Sequence, residues 1–128
     1  MTTPIRCLLI ATFLPFAWAF LGHAFRHRQF GKIDNNHPRL QQAQLTGIGA
    51  RALAAQQNAW EALAMFTPAV LVAHLHGATA GHAAIAAITF IVARVVHGCL
   101  YLADLGSLRS LVWMVGVGAV IWLFVLGS

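Results

Sequence analysis

The chain is poor in charge and poorer still in acid. Charged residues make up 9% of it, and only three are Asp or Glu, whereas an ordinary soluble domain is about 25% charged. So few charges cannot cover a water-facing surface when 59% of the residues are hydrophobic. That excludes a soluble domain and leaves an integral membrane protein. The net charge of +5 ordinarily raises nucleic acid as a partner. Here the bases are too few and lie in or beside apolar spans, so no nucleic acid is expected. Cysteine is scarce too. Cys7 and Cys99 have no metal-ligand spacing and fall near opposite membrane faces, whereas bridged Cα atoms must approach within about 7 Å. No intrasubunit disulfide is expected. His74, His76 and His82 are irregularly spaced with no thiolate or acid beside them, so no metal site is expected. Internal repeats, low-complexity tracts and a separate soluble domain are all missing, and 1–128 reads as one membrane domain.

What is present is long apolar stretches. A bilayer-crossing helix needs about 20 mainly apolar residues, and segments near 5–24, 45–73, 82–103 and 108–126 fit. All four are expected to be helices, because a helix satisfies its own backbone groups in lipid. The fold class is therefore an all-α integral membrane four-helix bundle. Arg6, an apolar run and Ala17-Trp18-Ala19 resemble a secretory leader, but its removal would leave three spans, so the segment is read as the first span. The loop 25–44 holds Arg26, Arg28, Lys32 and Arg39 against one acid, Asp34, while the second loop, HLHGATAGH, holds no Lys or Arg. Lys and Arg concentrate on the cytoplasmic side. The first and third loops thus face the cytoplasm and both termini face outward, as in a multi-pass protein of a bacterial inner membrane. Trp18, Trp60, Trp113 and Trp122 are expected at lipid or at the interface.

Polar residues inside such spans are costly, about 2.5–3.5 kcal/mol each for a charge at the bilayer centre, and normally have partners. Span two reads RALAAQQNAWEALAMFTPAVLVA. On a helical wheel Arg51, Asn58 and Glu61 fall within roughly 80° of one another, with Gln57 to one side and Gln56 further round. The alanines between them let neighbouring backbones approach closely, and Pro68 is expected to bend the outer end. In span three Arg94, His97 and Tyr101 share a stripe of roughly 60°. An ion pair between Glu61 and Arg94 is the first structural expectation. A short third loop, Asp104 to Ser107, leads into Arg109 and Ser110 at the start of span four. Arg26, Arg51, Arg94 and Arg109 all belong to the inner half, which suggests a site for an anionic ligand. A transporter is disfavoured, since no discontinuous helix pair or repeat is seen.

Two motifs carry a family likeness: RALAAQQNAWE in span two, and RVVHGCLYLADLGSLRS from span three into span four. Their order, spacing and placement resemble the MAPEG family, the membrane-associated proteins in eicosanoid and glutathione metabolism, whose members include microsomal glutathione transferases. The resemblance implies a four-helix bundle assembled as a homotrimer, with glutathione as co-substrate bound between subunits in the cytoplasmic half. Carried over by motif, Gln56, Asn58 and Glu61 contact glutathione, while Arg94, His97 and Tyr101 line the site. Arg109 steadies the thiolate with Ser110 beside it, and Arg26 holds a glutathione carboxylate. The implied function is a transferase or peroxidase acting on hydrophobic electrophiles that arrive from the bilayer. The chain departs from the eicosanoid enzymes at Ala54, where they carry an arginine; Arg51, one turn earlier, is the nearest substitute. Trp113 stands where some members have tyrosine, and the loop before Arg109 is a residue shorter. Such motifs also occur in members that bind lipid without catalysis, so a non-catalytic lipid-binding or partner-presenting protein is the alternative.

Overall fold

A computed structural model describes all 128 residues. It is helical throughout, with α1 Thr3–Phe30, α2 Pro38–Ala43, α3 Gly47–Leu75, α4 Ala80–Leu102 and α5 Gly106–Leu126. Three of these, α1, α4 and α5, are long and apolar enough to cross a membrane. The fourth long helix, α3, has 29 residues but carries Arg51, Gln56, Gln57, Asn58 and Glu61, which lower its hydropathy. Large apolar side chains point away from the bundle on several helices, among them Phe13, Phe20, Val92, Leu111, Met114 and Val125. Such a surface suits hydrocarbon rather than water.

The long helices run alternately up and down. Arg51 near the start of α3 meets the end of α4 at Leu102, and Gly127, just past α5, lies on the backbone of Val72 and Ala73 near the end of α3. Close approach is possible because the buried face of α3 is largely alanine: Ala52, Ala55, Ala59, Ala62, Ala69 and Ala73. α4 answers with Ala83, Ala86, Ala87 and Ala93. Between them Phe66 and Phe90 stack at 3.9 Å with ring planes 6° apart. Pro68 does not interrupt α3, and there Thr67 Oγ1 donates to Leu63 O at 2.8 Å.

Trp18 departs from its expected place at the lipid surface. It is buried against Ala55 and Ala59, and its indole lies over Gly98 of α4, where an added Cβ would fall within the ring. The pairing of a bulky ring with a residue lacking a side chain sets how closely α1 and α4 approach.

Both cationic-end connections are pinned. α1 continues past the expected boundary at Ala24 to Phe30, so the first loop is shorter than the hydropathy pattern suggests. Asp34 accepts the backbone N–H groups of Asn36 and His37, each at 2.9 Å. The His37 backbone N–H chiefly, with further help from that of Asn36 and from the His37 ring, holds the Asp34 carboxyl below the usual carboxylate range. Gln29 ties the far side of the loop by donating to Gln44 O and accepting from Thr46 N, both at 3.0 Å.

The α4–α5 turn is tighter. Asp104 takes a left-handed conformation, φ 61°, which Asp tolerates better than most residues. Leu105 N donates to Leu100 O at 3.0 Å and Asp104 N to Tyr101 O at 3.1 Å, the Schellman pattern of a helix end. That pattern leaves the Leu102 carbonyl without a backbone donor, and Arg51 Nε supplies one at 3.2 Å.

Candidate functional site

The polar residues of α3, α4 and α5 form a connected chain at the cationic end of the bundle. Arg94 is buried, and its Nη2 donates to the side-chain and main-chain oxygens of Asn58. The same nitrogen lies 3.3 Å from His97 Nδ1. Arginine can only donate, so Nδ1 accepts and the neutral His97 carries its proton on Nε2. Asn58 Nδ2 in turn donates to Glu61 Oε2 at 3.0 Å. The His97 ring meets Tyr101 edge-on at 5.2 Å, and the Arg109 guanidinium lies over the Tyr101 ring at 4.1 Å, within cation–π range. The helical spacing of Arg94, His97 and Tyr101 thus becomes a physical line from Glu61 on α3 to Arg109 on α5.

The expected Glu61–Arg94 ion pair is not formed. Asn58 stands between the two, one turn before Glu61 on the same helix face. Its amide has both a donor and an acceptor, so it reads arginine with one end and carboxylate with the other. Glu61 itself stays exposed at the bundle surface.

Other expected site residues separate from this chain. Arg51, expected among the ligand-holding cations, instead caps the Leu102 carbonyl, with Nη1 3.9 Å from Asp104 Oδ2. Ser110 is exposed, and its hydroxyl donates back to Gly106 O at 3.1 Å. Arg26 and Gln56 lie away from Asn58. They line a cavity of about 200 Å³ among α1, α2 and α3, together with His23 and Gln42. Arg26 is buried there with its Nε unpaired, a polar atom suited to an acceptor. His23 and Gln42 were not singled out from the sequence. His23 lies one turn before Arg26 on α1, a spacing that could have found it; Gln42 comes from α2, inside the loop, and gives no such signal.

The charge inventory is lopsided. Of the three carboxylates, Asp34 faces His37, Asp104 faces Arg51, and Glu61 is bonded to Asn58. Arg26, Arg94 and Arg109 have no carboxylate within 4.0 Å. The end of the bundle where they gather can take an anion, and Arg109 can lower the pKa of an acidic group brought to it.

Helices long enough to cross a bilayer, apolar outside and joined inside by a polar line, define a multi-pass membrane protein with arginines gathered toward one end of the bundle. The profile of the MAPEG family matches residues 3–127, and the chain belongs to that family. It is thus a membrane protein of the eicosanoid and glutathione metabolism kind, and members of this family generally use glutathione. Searches of curated proteins and of solved structures find no match to the chain.

Proposed function

We propose that the protein is a membrane-bound, glutathione-dependent transferase or peroxidase acting on hydrophobic electrophiles, with Arg109 as the group that stabilises the thiolate. The observation that carries this reading is the polar line itself: it runs from Glu61 through Asn58, Arg94, His97 and Tyr101 and ends on an arginine with no carboxylate partner. Glutathione brings two carboxylates and a thiol. The unpaired Arg26 Nε and the Gln56 amide, which line one cavity, suit one carboxylate, and the cation surplus near Arg109 suits a sulfur anion. A free thiol has a pKa of about 8.5, which a neighbouring cation lowers.

In this reading α3 also crosses the bilayer. Its 29 residues at 1.5 Å each give about 43 Å, beyond the roughly 30 Å hydrocarbon core. Gln57 and Glu61 are then exposed at membrane depth, where other copies of the chain must cover them. A homotrimer does so and brings the Arg26–Gln56 cavity of one copy toward the polar line of another. The basic first loop sets both termini outward, and the electrophile enters from the bilayer.

Conjugation of a chloronitrobenzene in detergent tests the role of Arg109. Arg109→Ala is expected to lower turnover on the order of a hundredfold at neutral pH. The wild-type rate rises with pH through a thiol pKa below the free value, and in the variant that rise moves up toward about 8.5. Turnover unchanged in Arg109→Ala removes Arg109 from this role. One observation favours a second reading, a non-catalytic lipid-binding protein on the same scaffold. Ala54 offers no cation, and Arg51 is committed to the α4–α5 turn. That reading predicts no saturation by glutathione up to millimolar levels and lipid copurifying at the subunit grooves.

A further inference from the structure

A further recess lies away from the Arg109 end of the molecule. It is a cavity of about 500 Å³ at the opposite end, among the start of α1, the end of α3 and the start of α4. That size is in the usual range for small-ligand pockets. Arg6 and His74 line it, and its floor is made of small apolar groups, Pro4, Ala73 and Ala83, which are buried in the bundle. The three Asp and Glu side chains all lie elsewhere: Asp34 in the first loop, Glu61 within α3, Asp104 in the α4–α5 turn. Arg6 has no carboxylate within 4.0 Å. Two helices begin at this rim, and neither Thr2 nor Thr79 caps its helix with a side-chain hydrogen bond, so the partial positive charge of both N-termini adds to that of Arg6. Beside the rim Leu75 is exposed.

We infer that this cavity binds a phosphate group, held by Arg6 and His74 at the mouth, with any attached apolar part resting on the alanine floor. Two sources have this chemistry: the headgroup of an anionic lipid in the adjacent leaflet, and free phosphate from the aqueous side. The site is independent of the glutathione reading, since it uses none of the same residues and lies at the other end of the helices.

Native mass spectrometry of the full chain in detergent tests the inference, with added phosphatidylglycerol, phosphatidylcholine or inorganic phosphate. Wild-type protein is expected to retain phosphatidylglycerol over phosphatidylcholine, and the double variant Arg6→Gln/His74→Gln to retain about fivefold less of it. Arg39→Gln, in the loop at the other end, should behave as wild type. Competition by excess inorganic phosphate separates the sources. Retained phosphatidylglycerol assigns the site to a lipid headgroup. Its displacement, with a thermal shift by phosphate that the double variant lacks, assigns it to the free ion. Equal retention of phosphatidylglycerol by wild type and double variant, or equal loss in Arg39→Gln, with no phosphate shift, overturns the proposal. Both substituted side chains are exposed, so the fold should survive, and matching circular dichroism checks that it does.

Discussion

Arg94 gives its charge to neutral partners. Buried in α4, it is solvated by Asn58 and His97 rather than paired with Glu61, and that choice has a measurable consequence. Glu61→Gln keeps an oxygen that can accept from Asn58 Nδ2 and changes an exposed group, so it should cost under about 1 kcal/mol in detergent thermal unfolding. Asn58→Leu removes both ends of the bridge and leaves the Arg94 guanidinium with His97 as its remaining side-chain acceptor, which should cost about 2–3 kcal/mol. If Glu61→Gln proves the more damaging of the two, a direct ion pair matters more than the amide. The stripe of Arg94, His97 and Tyr101 was legible in the sequence because one helix fixes their relative angles. The Asn58 bridge was harder to see, since opposite charges on facing helices suggest a pair before they suggest a mediator. Gln56 was placed with Asn58 by family likeness, yet two residues on a helix differ by about 200°: Gln56 lines the cavity with Arg26, while Asn58 bonds to Arg94 and Glu61.

At the scale of elements, the closest packing is where Trp18 of α1 lies over Gly98 of α4. A methyl group at that position has no room, so Gly98→Ala should destabilise the protein by about 1–3 kcal/mol, and adding Trp18→Phe should recover part of the loss. Thermal unfolding of the single and double variants checks this; additive losses would mean the contact is not the cause. Neither residue announces the other in the sequence, because no local period links α1 to α4. Helix ends were equally hard to read. Hydropathy marks where lipid stops, whereas α1 runs on to Phe30 and a further helix, α2, fills part of the loop. The loop also carries a pH dependence. Asp34 is held below its ordinary value by the N–H groups it accepts, so its contribution is fully present above about pH 4. That contribution is lost as pH falls below the ordinary carboxylate value through the depressed one. Hydrogen exchange at the Asn36 and His37 amides should show protection that fades over that acidic window and is already weak at neutral pH in Asp34→Ala. Protection unchanged by Asp34→Ala would remove this role.

For the whole molecule, the alternating helices separate two ends of different composition. One gathers Arg26, Arg51, Arg94 and Arg109, and of these Arg51 serves the fold by capping the α4–α5 turn. The sequence showed that these cations share an end, but not which of them is structural, since the partner of Arg51 is a backbone carbonyl and leaves no side-chain signal. The remaining three are the reason to expect an anionic co-substrate. The most direct measurement is a glutathione titration of the detergent-solubilised protein at neutral pH, following thiolate absorbance in the ultraviolet for wild type and Arg109→Gln. Saturable growth of the thiolate band in wild type, largely absent in Arg109→Gln, is the expected result. A band that never saturates, or that is the same in both proteins, contradicts the assignment of Arg109 as the cation that holds the sulfur.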